Sequence, residues 1–331
     1  MRLTLQPVIT VHRPFMWYSI VGTVDCFTHV SLTLHGFKHY ATSAGFDMFP
    51  PRPFSIISEH SSSPELSYWY RPHRSKTKKP IIFLHGIGVS LHLICTFFTC
   101  SSKYSFIYQI GLFPYIHFFT DIINVEPDVG ILAIELIPIS MHITSPPLSR
   151  PLFCSEVERI LSQQHIVDFV LAGHSYGTAL CTHILHDPLL RPRVSSLLLV
   201  DPIPFLLHLP TVAYNFVYRK PRTAAEWQLW YFASRDMGIA HALGRHFFWA
   251  ENILWKEELE GLQCGVILAA EDSVLDAKEV WKYLTSQSEA SEEWTEAGMT
   301  VRWFEGLDHS QVLYTKERRA PVIKLLQRFV L

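Results

Sequence analysis

The run Gly173-His174-Ser175-Tyr176-Gly177 places a serine between two glycines at the junction of two different periodicities. Before it, residues 168–172 read Asp-Phe-Val-Leu-Ala, apolar enough for a strand covered on both faces, and after it residues 178–185 favour a helix. A sharp strand-to-helix turn lifts the serine hydroxyl clear of the backbone, and the flanking glycines leave room for the turn and for close helix–strand approach. Ser175 is therefore a candidate nucleophile. A serine hydroxyl is weak by itself and needs a base, an acid that orients the base, and donors for the developing oxyanion.

The rest of the chain offers these groups in a compatible order. Residues 301–304 read as a strand, and Glu305-Gly306-Leu307-Asp308-His309 follows it, which puts His309 on a loop beyond a strand end as a candidate general base. Residues 265–270 form another apolar run, and Asp272 directly after it is the preferred acid. Asp201 is its rival, since residues 196–200 are also strand-like and Asp201-Pro202 follows; Asp276 is a third candidate. Asp308 adjoins His309, but neighbouring side chains on a loop seldom meet in the required geometry. His174 precedes the nucleophile and reads as a packing or surface residue. Residues 80–84 make a strand ending in His85-Gly86-Ile87-Gly88. The backbone N–H groups of Ile87 and Tyr176 are the expected oxyanion donors, each of a kind that contributes about 3–4 kcal/mol to the transition state.

With these motifs in hand the chain resembles the α/β-hydrolase fold family, and is similar to poorly characterised fungal members of it. The resemblance spans roughly residues 65–331 and rests on the His85-Gly86 turn, the GHSYG elbow at Ser175, the strand-end acid at Asp272 and the LDHSQ loop carrying His309. It implies that Ser175 attacks an acyl carbon, His309 takes and returns the proton, and Asp272 holds the imidazole. The implied activity is hydrolysis of a carboxylic ester or thioester with an apolar part. The alternatives are acyl transfer by the same triad and a catalytically inactive, membrane-associated binding protein, because fold does not fix function.

The elements that must position these groups alternate strand and helix, which argues for an α/β architecture with a mostly parallel sheet. The expected core comprises residues 65–202 and 263–331. Residues 203–262 interrupt the alternation and read as a helical cap inserted after the sixth strand. Twelve aromatic residues from Phe205 to Trp255 favour an apolar acyl or alkyl group beneath it. Arg219, Lys220 and Arg222 are the contrary signal, a rim that would hold a carboxylate or phosphate. Residues 1–64 form a proline-marked N-terminal arm. Its apolar runs at 16–24 and 30–34 are broken by Asp25, His29 and His35, too short for a secure transmembrane helix and unlike a secretory signal. An interfacial helix making peripheral membrane contact competes there with an arm packed on the core.

A net charge of −2 and a pI near 6.8 give no electrostatic reason to expect nucleic acid. The basic run 71–79 reads as a solvated loop between strands. Six cysteines show neither paired nor metal-ligand spacing and read as reduced, which points to an intracellular site, cytoplasmic or membrane-associated. No dinucleotide fingerprint, phosphate loop or metal motif is present, so no cofactor and no metal are expected.

Residues 89–109 fit the family pattern poorly, since related chains run almost directly from the glycine turn into the next helix. Val codons begin GT, and Tyr108-Gln109 can be encoded as a pyrimidine-rich triplet followed by CAG, so this in-frame block has the ends of an unspliced intron; a real apolar helix extending the lid is the competing reading. If it is intron, a chain joining Gly88 to Ile110 will be more soluble and more active than the full chain. Codons 89–109 present in the dominant transcript, with an inactive deletion variant, would refute that.

Overall fold

A computed structural model describes residues 5–42, 48–88 and 110–331. The suspected insertion 89–109 lies outside those residues, with Cys95 and Cys100 in it. The ten strands are β1 (Lys38–Ala41), β2 (Glu59–His60), β3 (Tyr68–Arg71), β4 (Ile81–Leu84), β5 (Ile131–Ile134), β6 (Phe169–His174), β7 (Val194–Val200), β8 (Gln263–Ala269), β9 (Glu293–Glu296) and β10 (Met299–Phe304). They form one sheet in the order β2-β1-β3-β5-β4-β6-β7-β8-β10-β9. From β5 to β10 every neighbouring pair is parallel; antiparallel pairs occur where β3 meets β1 and β5, and where β9 meets β10. The expected α/β class with a mostly parallel sheet is what the chain adopts.

Helices cover both faces. The long ones of the first half are α1 (Phe15–Leu34), α2 (Ile116–Val125), α3 (Arg150–Gln163) and α4 (Tyr176–Leu185). Because strand side chains alternate sides, Ile82, Leu84, Leu171 and Leu199 enter one core layer with Val157 and Ile160 of α3, Ile184 of α4 and Trp281 of helix Ala277–Thr285. Ile81, Phe83, Val170 and Leu198 enter the other, with Phe118, Phe119 and Ile122 of α2 and Val322 and Leu326 of helix Lys316–Phe329. A strand buried on both sides has no polar alternation to display, which is why these segments read as continuous apolar runs.

After β7, which is the sixth strand once the two-residue β2 is set aside, residues 203–262 leave the sheet. They form short helices, among them Thr211–Ala213, Ala224–Gln228 and Met237–Arg245, with π-helical turns at Tyr214–Tyr218 and Leu229–Ser234. Asp236 caps helix Met237–Arg245 by accepting from the N–H groups of Gly238 and Ile239.

The N-terminal segment is tied to both core and cap. The Val11 N–H donates to the Arg235 carbonyl at 2.9 Å, Arg235 donates to the Ile9 carbonyl, Arg245 to the Gln6 carbonyl and Arg13 to the Tyr231 carbonyl. Next, α1 puts Trp17, Tyr18, Val21 and Val24 into the first core layer and Leu32 into the second, and β1 joins the sheet beside β3. Buried charge reinforces the attachment, since Arg52 grips Glu135 through two 2.7 Å hydrogen bonds and Asp25 accepts from His142 at 2.8 Å. The outward face of α1 carries Phe15, Met16, Phe27, Val30 and Leu34, all exposed, and no charged side chain. Among the described residues no helix is long and apolar enough to cross a membrane.

Phe83 lies at the centre of the second layer, 2% exposed, with ring contacts to Tyr115 at 4.8 Å and Phe119 at 5.2 Å. Phe83→Ala is expected to cost about 3–5 kcal/mol of stability. Chemical denaturation checks this, and a loss below about 1 kcal/mol would mean the layer repacks around the gap.

Candidate active site

Three loops at the carboxyl ends of parallel strands meet at Ser175. The turn between β6 and α4 is tight: Ser175 has φ 51° and ψ −120°, outside the regions most side chains adopt. Its N–H donates to the Val200 carbonyl of β7 at 2.9 Å, which pins the turn to the neighbouring strand. Two glycines make the geometry possible. A Cβ on Gly177 would lie 2.1 Å from the Leu84 carbonyl oxygen, and one on Gly86 would lie 2.8 Å from the Ser175 Cβ, both closer than real carbon contacts allow. Thus the end of β4 touches the start of α4 only because neither residue has a side chain.

Ser175 Oγ lies 2.8 Å from His309 Nε2, and His309 Nδ1 lies 2.7 Å from Asp272 Oδ2. The other oxygen of Asp272 accepts from the N–H groups of Val274 at 2.7 Å and Leu275 at 3.0 Å, so the carboxylate is aimed by backbone as well as by the imidazole. Of the candidate acids, only Asp272 contacts the His309 ring. Asp276 caps helix Ala277–Thr285 instead. Asp308 Oδ1 accepts from the main-chain N–H groups of His309 at 2.7 Å and Ser273 at 2.8 Å, which fastens the histidine loop to the acid loop.

Asp201 occupies a different place. It is fully buried, has φ 46°, and its Oδ2 accepts from the Ser310 N–H at 2.7 Å. Asp201, Asp272 and His309 are the one group among the described residues whose potential ligand atoms cluster, within 4.8 Å of one another. Both nitrogens of His309 are already engaged, by Ser175 and Asp272. His174, read from sequence as packing or surface, is 2% exposed and hydrogen-bonds Tyr115 through Nδ1 at 2.7 Å. Tyr115 itself had no sequence signal, because nothing local distinguishes it from the aromatic residues around it.

Burial opposes protonation of His309, but the nearby carboxylates of Asp272, Asp201 and Asp308 outweigh it and raise its pKa to about 9. The same surroundings leave Asp201 below its ordinary value: burial pushes it up, and the facing His174 Nε2, the charge of His309 and the hydrogen bond from Ser310 more than reverse that.

Ile87 and Tyr176 line one cavity with Ser175, of about 510 Å³. Tyr176 opens α4, so its N–H has no partner within the helix and is free to meet an oxyanion. The remaining lining is almost wholly apolar, including Leu207, Val212, Phe216, Leu243, Phe247 and Trp249. Arg219 does not line it; its guanidinium donates to the Ser273 carbonyl at 2.8 Å and pairs with Glu226 at 3.4 Å.

No protein-family model and no curated protein sequence matches this chain. Solved structures do. A bacterial membrane phospholipase A described as a virulence factor superposes with a TM-score of 0.54 at 13% identity, over 95% of this chain and 93% of that one. The carboxylesterase CesB of Bacillus subtilis gives 0.50 at 14% identity, over 94% and 97%. A carboxylesterase of the thaumarchaeon Nitrososphaera gargenis gives 0.50 at 14%, over 80% and 95%. The chain has the α/β-hydrolase fold. Likeness at this level of identity establishes the architecture and no more. Within an α/β-hydrolase fold, Ser175 sits on the turn after β6, and His309 and Asp272 on the loops after β10 and β8.

A fluorophosphonate reports the nucleophilicity of Ser175 directly. With His309 as the expected base, able to take a proton only when neutral, and with its pKa raised, the labelling rate should climb with pH through a midpoint above 6.5, toward about 9. A midpoint at or below 6.5 would contradict the carboxylate-rich setting.

Proposed function

We propose that this protein is a serine hydrolase that cleaves a carboxylic ester or thioester bearing an apolar acyl or alkyl group. The observation that carries the proposal is the hydrogen-bonded series Asp272, His309 and Ser175, at 2.7 and 2.8 Å, opening on a cavity of about 510 Å³ walled by aliphatic and aromatic side chains. The esterases among the structural neighbours lend it support at the level of fold.

The reaction follows from the geometry. His309 Nε2 takes the Ser175 proton as Oγ attacks the acyl carbon, and the imidazolium is held by Asp272 through Nδ1. The carbonyl oxygen gains negative charge and is met by the N–H groups of Tyr176 and Ile87. His309 then gives the proton to the departing alkoxide or thiolate, which leaves an acyl group on Ser175. Water, deprotonated by the same nitrogen, attacks the acyl carbon, and collapse returns the proton to Ser175 with release of the acid. Among the described residues the cavity lining has no Asp, Glu, Lys or Arg and, His208 and Ser175 apart, is apolar or aromatic, so apolar burial is the principal source of affinity, about 0.8 kcal/mol per buried methylene.

Purified protein with acyl esters of graded chain length tests this: kcat/KM should rise with acyl length until the cavity is filled. Ser175→Ala should abolish turnover and fluorophosphonate labelling while leaving thermal unfolding unchanged. Asp272→Asn should lower kcat by about 10⁴, because the amide supports the wrong tautomer of the base. Labelling at another residue, or near-normal turnover by Ser175→Ala, would sink the assignment.

A further inference from the structure

Beside Ser175, a second series of polar groups runs between the turn after β4 and the loop after β10. The Gly86 N–H donates to the Tyr115 hydroxyl at 3.0 Å, and that hydroxyl lies 2.7 Å from His174 Nδ1. His174 Nε2 lies 3.7 Å from Asp201 Oδ2, too long for a hydrogen bond and close enough for electrostatic attraction. The same Asp201 oxygen accepts from the Ser310 N–H at 2.7 Å. Gly86 precedes the oxyanion donor Ile87, and Ser310 follows the base His309. All three side chains are at least 97% buried, with exposures of 3% for Tyr115, 2% for His174 and 0% for Asp201.

We propose that Tyr115, His174 and Asp201 are positioning residues that set the oxyanion turn and the His309 loop together, as one polar series behind the nucleophile. The inference rests on the serine-hydrolase reading of the site and adds to it a second layer.

Proton directions along the series agree. Tyr115 has one proton; with Gly86 donating to its oxygen, that proton goes to His174 Nδ1, which leaves the histidine proton on Nε2, facing Asp201. Burial and the Asp201 charge hold the phenol protonated, outweighing the Gly86 hydrogen bond. Burial keeps His174 neutral against the pull of Asp201, and Asp201 stays ionised. Each group is thus in the state that its neighbour requires. The backbone supplies independent support. Both ends of the Asp201–Ser310 bond sit at left-handed φ values, 46° and 69°, which non-glycine residues hold only when their surroundings over-determine them. Both His309 ring nitrogens are hydrogen-bonded elsewhere, so the Asp201 carboxylate acts on the base through the loop backbone and its field.

Tyr115→Phe removes one oxygen and leaves the ring in place. Active sites are counted by fluorophosphonate titration so that misfolded protein does not enter the rates. The variant should lose about 10- to 100-fold in kcat with KM nearly unchanged, because a displaced donor acts in the transition state. Its affinity for a trifluoromethyl ketone, whose hemiketal oxyanion occupies the same donors, should fall by the same factor. The pH midpoint should not move. Asp201→Asn should instead lower that midpoint, since one of the charges raising His309 is gone. Because Tyr115→Phe could fail to fold, His174→Gln, which keeps an acceptor toward Tyr115 and a donor toward Asp201, is compared with His174→Leu; the first should retain more kcat. A wild-type protein that is labelled and turns over esters, with Tyr115→Phe at full kcat or His174→Leu matching His174→Gln, overturns this inference alone. A wild-type protein that neither labels at Ser175 nor cleaves any ester overturns the hydrolase reading and this inference with it.

Discussion

The close approach of the β6–α4 turn to the end of β4 is the constraint on which the site depends. Gly177 lies so near the Leu84 and His85 carbonyl oxygens that a methyl group would overlap them, and Gly173 is as close to Cys181. That contact holds Ser175 beside the His85–Gly88 turn, and one cavity is lined by Ser175 together with Ile87 and Tyr176. The strain at Ser175 is offset locally, by its N–H bonding Val200 and by its carbonyl accepting from Thr178. A positive φ at a serine is costly in isolation and persists where packing leaves no alternative.

Electrostatics then divides the labour among the carboxylates. Asp272, Asp201 and Asp308 all surround His309, yet each binds a different part of it or its neighbour: the ring, the following amide and its own amide. An imidazole so surrounded is more basic than a free one, and its neutral form is shifted toward higher pH. Low polarity in the adjoining cavity strengthens every one of these interactions.

Much of this architecture was legible in the sequence, and for identifiable reasons. Strands β4, β6, β7 and β8 are buried on both faces, so their composition announces them, and the glycine-flanked serine marks the one junction where a turn of this kind fits. The order of Ser175, Asp272 and His309 along the chain followed from those strands. The choice between Asp272 and Asp201 did not, because both stand directly after a parallel strand and differ only in where their side chains point. The pairing of Tyr115 with His174 was illegible for a related reason: it joins residues 59 positions apart, which periodicity does not encode. The N-terminal segment was harder still, since its polar interruptions at Asp25 and His29 look like breaks in a helix and are in fact its inward-facing groups. Asp25 reaches His142, and His29 stacks on Phe54.

The attachment of residues 5–13 to the cap carries a consequence for biogenesis. Gln6, Ile9 and Arg13 find their partners at Arg245, Arg235 and Tyr231, separated from them by 239, 226 and 218 positions. Synthesis from N- to C-terminus makes these residues well before their partners, which follow only after β1 through β7 have emerged. Local collapse cannot satisfy them in the interval, and contacts of such separation are slow to form. These contacts therefore form only once the cap has been synthesised, and residues 5–13 fasten onto a surface made long after them.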